Sequence, residues 1–189
     1  HGEPIATGNL DVGGRLLRLE PDDQTVLSFT KPMLRIAEEL GLRLRVGQRL
    51  DEATLDRLAE RMAAALEEAV NLRPRTALYE RLVLEQGFAP ELRAEAYTFS
   101  GGVADCVYGT PDSGIAFHHI GERLGRAIRR TACFREGRVL KPRETQQATV
   151  IGAGAYSMTV SGSTIQYGHT SFPIQNLPAG KIRFSAAQD

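Results

Sequence analysis

Leu55, Leu58, Met62, Leu66 and Val70 recur at steps of three and four, the spacing that lines side chains along one face of an α-helix. Alanines between them widen the stripe, and Asp51 stands where a side-chain oxygen can take a first-turn amide, with acidic residues close behind it. The pattern predicts a helix over residues 51–70. "MLRIAEEL", residues 33–40, has the same period, with Thr30 placed as an N-cap, Pro32 in the first turn and Gly41 just past the end. A third helix is expected from about Pro74 to Gln86, ended by Gly87. A fourth covers "IGERLGRAIRR", where Ile120, Leu124, Ala127 and Ile128 share a face.

Elsewhere the period shortens towards two. "PIATGNLDVGGRLLRL" alternates loosely and breaks at Gly8-Asn9 and Gly13-Gly14, which reads as one or two strands with turns. "LEPDDQTVLSFT" carries a Pro-Asp-Asp turn signal before a short apolar run, so it reads as the second arm of a hairpin. In "AYTFSGGVAD" a strand is expected to end at Phe99, turn through Ser100-Gly101-Gly102 and enter a helix. From Thr149 onward Thr, Val, Ser, Tyr and Gly predominate, and strand and turn are expected, with Pro173 and Pro178 limiting any late strand to an edge. The organisation this predicts is an α/β core from residues 1–30 and 91–189, with a mainly helical subdomain, 31–90, inserted in it.

Composition then removes whole classes of function. The 189 residues hold 23 Lys+Arg against 23 Asp+Glu, so no net field draws the chain to nucleic acid or an anionic membrane. The longest weakly polar stretch, "ATVIGAGAYSMTV", has 13 residues, short of the roughly 20 a bilayer-spanning helix needs. Cys106 and Cys133 have no CxxC spacing and are too few for a disulfide scaffold, which fits a reducing cytoplasm. The chain opens on His1 and reads as an internal segment of something longer.

The candidate chemistry lies in glycines at strand ends. Ser100-Gly101-Gly102, Gly13-Gly14 and the "VIGAGA" cluster at 150–155 each follow apolar residues. A residue without Cβ lets backbone approach a flat or anionic ligand, and ligands of α/β sheets gather at the carboxyl ends of strands. One such pair is more often a tight turn or a packing contact. Three together carry more weight. Other chemistry fares worse: His118 and His119 are neighbours and would diverge from any single metal ion, so no metal site is expected. Ser100 lacks the nucleophile-elbow surroundings. Both cysteines read as buried, inert thiols. Asp105 could contact a ribose or cap a turn, and Arg129, Arg130 and Lys31 read as solvated surface.

"NLDVGGRLL", "TFSGGVADCVYG", "IGERLGRAI" and above all "ATVIGAGAYSMTVSGSTI" followed by "NLP" resemble, in order from about residue 7 to 178, the ethanolamine ammonia-lyase reactivating proteins. These are members of the actin-like ATPase superfamily, whose lobes have a ribonuclease H-like fold. The resemblance implies an ATP-dependent, chaperone-like factor using ATP and Mg2+. It would act on ethanolamine ammonia-lyase, releasing damaged cobalamin for exchange with adenosylcobalamin. It would do so in the cytoplasm, with association with an ethanolamine-utilising microcompartment as a further possibility. By resemblance, Ser100, Gly101, Gly102 and Val103 would lie against the adenosine, and Gly13 and Gly14 would face the phosphates. Gly152 and Gly154 would pack at an interlobe hinge.

Departures from the family pattern set limits. The 51–70 helix resembles one that reaches over the nucleotide in related chaperones, but Ala63 and Ala64 stand where basic side chains are expected, leaving Glu60 alone to carry over. The glycine-rich Asp-(Ile/Leu)-Gly-Gly-Gly-Thr phosphate loop and its lobe are missing from these residues. The isolated chain is therefore expected to lack appreciable ATPase activity. His119 stands where an acidic residue is expected, which weakens any cap or ion-binding role for that position. A non-hydrolysing, partner-binding module of the same fold is the alternative reading.

Overall fold

The computed structural model describes residues 5–85, 87–109, 118–136 and 138–145. The expectations for the tail from Thr149, including the hinge glycines Gly152 and Gly154, lie outside these residues. What is described is a mixture of helix and short strand, as an α/β reading requires.

A short 3-10 turn, Gly14–Leu16, runs directly into β1, Leu17–Leu19, whose two leucines are buried while Arg18 between them is exposed. β2, Val26–Phe29, pairs antiparallel with it, Leu17 opposite Phe29 and Leu19 opposite Val26. The hairpin read from the sequence is therefore present. Its turn is held by the Asp22 carboxylate, which accepts from the amides of Gln24 (3.0 Å) and Thr25 (2.8 Å) and from the Thr25 hydroxyl (2.6 Å). Those bonds, the Thr25 hydroxyl first, bring the Asp22 carboxyl down to about 2. Short pairings extend the hairpin on both sides. The Leu19 amide donates to His118 and the Ile120 amide to Leu17, while the Val26 amide donates to Gln48.

Helix α1, Lys31–Glu39, starts after Thr30 with Pro32 in its first turn, and the chain leaves it through Gly41 at φ +70°. Helix α2, Glu52–Ala69, is capped by Asp51, whose carboxylate accepts from the Thr54 amide at 2.7 Å. Helix α3 is shorter than expected, Ala77–Leu82. Thr76 caps it at one end. At the other, Val83 leaves the helix to pair with Leu10, and the Asp11 amide donates to Leu82. Helices α4, Ala104–Tyr108, α5, Gly121–Ile128, and α6, Ala132–Arg135, complete the described residues.

One hydrophobic cluster takes side chains from β1, β2 and all the helices from α1 to α5. Its axis is α2 against α5, and α5 also packs on α4. That second contact depends on Gly125: a Cβ there would stand 2.5 Å from the Cys106 Cβ and 2.7 Å from its carbonyl carbon. The apolar stripe of α2 is as predicted through Leu55, Leu58 and Met62, but Leu66 and Val70 are only half-buried. Glu67 and Glu68 are buried in their place. The reason lies in what packs against them: Glu67 accepts the Ala132 amide at the start of α6 (2.7 Å), and Glu68 accepts the amide and hydroxyl of Thr76 at the start of α3 (2.9 and 2.8 Å). Helix N-termini present unpaired amides and a partial positive charge, so two carboxylates are what this end of α2 requires.

Candidate functional site

The segment before the diglycine does not form the strand expected to end at Phe99. Tyr97 alone pairs, parallel to Val139, with its amide donating to Arg138 and its carbonyl accepting from Leu140, both at 2.8 Å. Side chains hold the rest. The Tyr108 hydroxyl accepts from the Phe99 amide (2.8 Å) and donates to the Leu140 carbonyl (2.9 Å). The Phe99 ring stacks on Phe134 at 6.0 Å between centroids. At the turn Gly101 has φ +93°, a conformation L-residues seldom adopt. Its amide donates to the Thr145 carbonyl at 2.8 Å, and the Thr145 hydroxyl donates to the Asp105 carboxylate. Asp105 thus anchors this turn.

These elements open on a cleft of about 1020 Å³. Gly13, Gly14, Ser100, Gly102 and Val103 all line it, so positions far apart in the chain are brought together. Leu66, Val107, Leu124 and Ile128 add apolar wall, and Arg15, Arg18, His118 and His119 add polar rim. The glycines divide by role. A Cβ at Gly13 or Gly102 would meet nothing within 4 Å, so there the backbone is bared to the cleft. A Cβ at Gly14 would come to 3.0 Å from Gly121 Cα and from the His119 ring, so Gly14 serves close packing of the 3-10 turn on α5. Gly101 shapes the turn without lining the cleft. Glu60 lies elsewhere, in a recess of about 150 Å³ with Ala63 and Ala64, and its carboxylate accepts from Arg130 at 2.8 Å.

Sequence reasoning passed over Arg15, Arg18 and Leu66 as site residues. The signal was present in "GGRLLRL", where strand alternation sends Arg18 away from the core that takes Leu17 and Leu19.

His119 corrects an expectation. Its Nδ1 accepts from the Gly121 amide at 2.9 Å, at the first residue of α5. A neutral imidazole therefore supplies the acceptor that a carboxylate would have given. Burial pushes its pKa down, and the charges of Arg15, Arg18 and His118 act in the same direction. A histidine whose folded pKa lies below its unfolded value of 6.5 adds stability fully above that pH. The contribution is lost as pH falls below 6.5 and through the folded pKa. Chemical denaturation at a series of pH values should show this loss, and His119→Asn, which keeps an acceptor without titrating, should flatten it. An unchanged slope in the variant would contradict the assignment. His118 turns to the hairpin, its Nδ1 3.0 Å from Asp23 Oδ1.

Of the two cysteines expected to be buried, Cys133 is, while Cys106 on α4 is only half-buried. Burial raises the Cys106 thiol pKa, helped by the charges of Glu122 and Asp105, and Cys133 is buried beside the Thr131 hydroxyl at 2.9 Å. Among the described residues no group of three or more His, Cys, Asp or Glu is placed to hold a metal ion. No described helix is long and apolar enough to cross a membrane.

The family model described as "Ethanolamine utilisation protein EutA" matches residues 1–189. The chain belongs to this family. Among curated relatives, the ethanolamine ammonia-lyase reactivase EutA of Salmonella typhimurium is 33% identical over 180 residues, which cover 94% of this chain and 38% of the relative. The protein of the same name from Escherichia coli K12 is 35% identical over the same spans. The chain thus spans 38% of the length of either EutA relative. No solved structure gives a significant match.

Proposed function

We propose that this chain is the adenosine-facing part of an ethanolamine ammonia-lyase reactivase of actin-like fold. In this reading the whole protein uses ATP to release damaged cobalamin from its partner enzyme, so that adenosylcobalamin can take its place. The observation that carries the reading is the joining of Gly13 and the Ser100–Val103 turn in one cleft, with open space where Gly13 and Gly102 would carry side chains. The volume suits a nucleotide-sized ligand. Names of relatives that match 94% of the chain support the choice of partner.

The purine would rest against Ser100, Gly102 and Val103, with Leu66, Val107 and Ile128 excluding water from its face. Tyr108 and the Phe99–Phe134 stack fix the turn beforehand, so little ordering cost falls on binding. Magnesium fits this half of the site less well. The described lining residues include no carboxylate, so they offer no hard-oxygen side chain of the kind that ion prefers, and no step is assigned to it. ATP and ADP would favour different arrangements of the whole protein, and that difference is what could do work on a partner.

Gly102 gives the cleanest test. It lines the cleft, lacks the positive φ of Gly101, and has open space at its Cβ. Gly102→Trp should leave the unfolding midpoint of the full chain near wild type while weakening calorimetric binding of ADP by about tenfold or more, the equivalent of roughly 1.4 kcal/mol. Unchanged ADP affinity in the folded variant would refute the proposed location.

A further inference from the structure

The even balance of charge over the whole chain hides a segregation. Residues 123–143, bounded by Glu122 and Glu144, hold eight of the 23 basic side chains and one of the 23 acidic ones, Glu136, leaving 15 basic against 22 acidic elsewhere. Packing absorbs part of this run: Arg123 turns inward to Glu52 and Asp56, while Arg126 and Arg138 meet Glu122 and Glu136. Arg129, Arg130, Arg135, Lys141 and Arg143 stay exposed, from the end of α5 to the segment after α6. Like charges gathered in this way repel, and an acidic surface laid against them relieves that repulsion.

Two of these arginines rim the recess that contains Glu60, apart from the cleft. Its volume is about 150 Å³, its floor is Ala63, Ala64 and Ala127, and Arg73, Arg130 and Arg135 stand around it. Glu60 and Glu67 line it as well, but both are engaged: Glu60 with Arg130 at 2.8 Å, and Glu67 with Arg73 at 3.0 Å and the Ala132 amide at 2.7 Å. Three guanidiniums thus share two carboxylates. Volume decides what could fill the space. Small-molecule sites run from about 300 to 1,000 Å³, and this recess is about half the smallest of them, room for a single side chain. Surface pockets of that kind receive the anchoring residues of a protein interface.

We infer that this recess and the basic face around it dock an acidic surface of a partner protein, with one aspartate or glutamate of the partner entering between Arg73, Arg130 and Arg135. The inference rests on the partner reading given under Proposed function and names the face that meets the enzyme. Guanidinium forks match a carboxylate two bonds at a time, which fixes direction as well as affinity. The placement suits a protein acted upon by this chain, because α2 and α5 border both sites: Leu66 and Leu124 wall the cleft, while Ala64 and Ala127 of the same helices floor the recess. A partner seated there bears on the helices that line the cleft. Nucleic acid fits the face less well. Phe134, the aromatic residue of the run, is stacked on Phe99, so no ring is offered to a base. Leu140, 62% exposed, adds apolar contact that a protein surface can use and a phosphate backbone cannot.

Titration of the full chain over surface-immobilised ethanolamine ammonia-lyase, under ATP and under ADP, tests this. Two variants act by different means: Arg135→Glu reverses a charge at the recess, and Ala64→Tyr fills it from a half-buried position. Arg45→Glu makes the same charge change in an exposed loop that lines a separate recess. In the tighter-binding nucleotide condition each recess variant should lose about tenfold or more in affinity. Arg45→Glu should match wild type, and all three should keep unfolding midpoints near wild type. Raising the salt concentration should weaken wild type more than Arg135→Glu. Wild-type affinity in Arg135→Glu overturns the inference whatever Ala64→Tyr does, and leaves the partner reading standing. Equal losses in Arg135→Glu and Arg45→Glu overturn it too, since the effect is then one of overall charge. If the wild-type chain does not bind the enzyme, the partner reading falls and takes the inference with it. Binding of a single-stranded oligonucleotide that Arg135→Glu abolishes would then assign the face to nucleic acid.

Discussion

Glu68→Ala will destabilise this chain by about 3–5 kcal/mol, the usual cost of removing one partner from a buried charged pair. Glu68 is 1% exposed, and its carboxylate accepts from Arg61 Nη1 at 2.9 Å and from both donors of Thr76. Removing it takes the acceptor from the amide and hydroxyl of Thr76, the residue that caps α3, and leaves the Arg61 guanidinium, itself largely covered, with Glu39 as its remaining carboxylate. Glu68→Gln keeps oxygen for Thr76 but gives up the charge, so it should fall between the two. Urea unfolding at neutral pH measures both. A loss under about 1 kcal/mol for Glu68→Ala, within the range of an exposed pair, would show that the network contributes little.

Gly125→Val will also be damaging, for the opposite reason. Glycine inside a helix is worth about 1 kcal/mol less than alanine, so by propensity alone any replacement on α5 should help. The contact decides otherwise. A Cβ at this position meets Cys106 Cβ at 2.5 Å and the Val107 amide nitrogen at 2.9 Å, and backbone cannot give way as a side chain can. Overpacking of this kind costs typically about 1–3 kcal/mol and at times more, so even Gly125→Ala should come out destabilising and the valine variant further so. Because α4 and its N-cap Val103 place Val103, Ala104 and Val107 at the cleft, the valine variant should also weaken ADP binding. A Gly125→Ala protein more stable than wild type would show that α4 and α5 are not held this closely.

What could be read before folding was whatever local chemistry decides. The α2 stripe, the Asp51 cap, the Asp22 turn and the start of α1 were legible because each depends on residues within one or two turns of chain. The end of α3 was not, since Val83 leaves the helix to meet Leu10, more than seventy residues away. The burial of Glu67 and Glu68 was hidden for the same reason. Their partners, the first amides of α3 and α6, sit beside them only after packing. At the site, the glycines were visible in sequence but their roles were not. Gly13 and Gly102 are open, whereas Gly14 and Gly125 are filled by neighbouring helices, and nothing local distinguishes the two kinds. His119 was misjudged because the position was weighed as a charge, when what the helix start needs is an acceptor.

The claim on which the functional account turns is that adenosine lies against the Ser100–Val103 turn. Photolabelling of the full chain with an azido-adenine form of ADP, followed by peptide mapping, tests it without depending on any variant. The account predicts label on the peptide carrying residues 97–109, suppressed by excess ADP. Label confined to other peptides, such as those around 43–48 or 71–75, and displaced by ADP there, would contradict it.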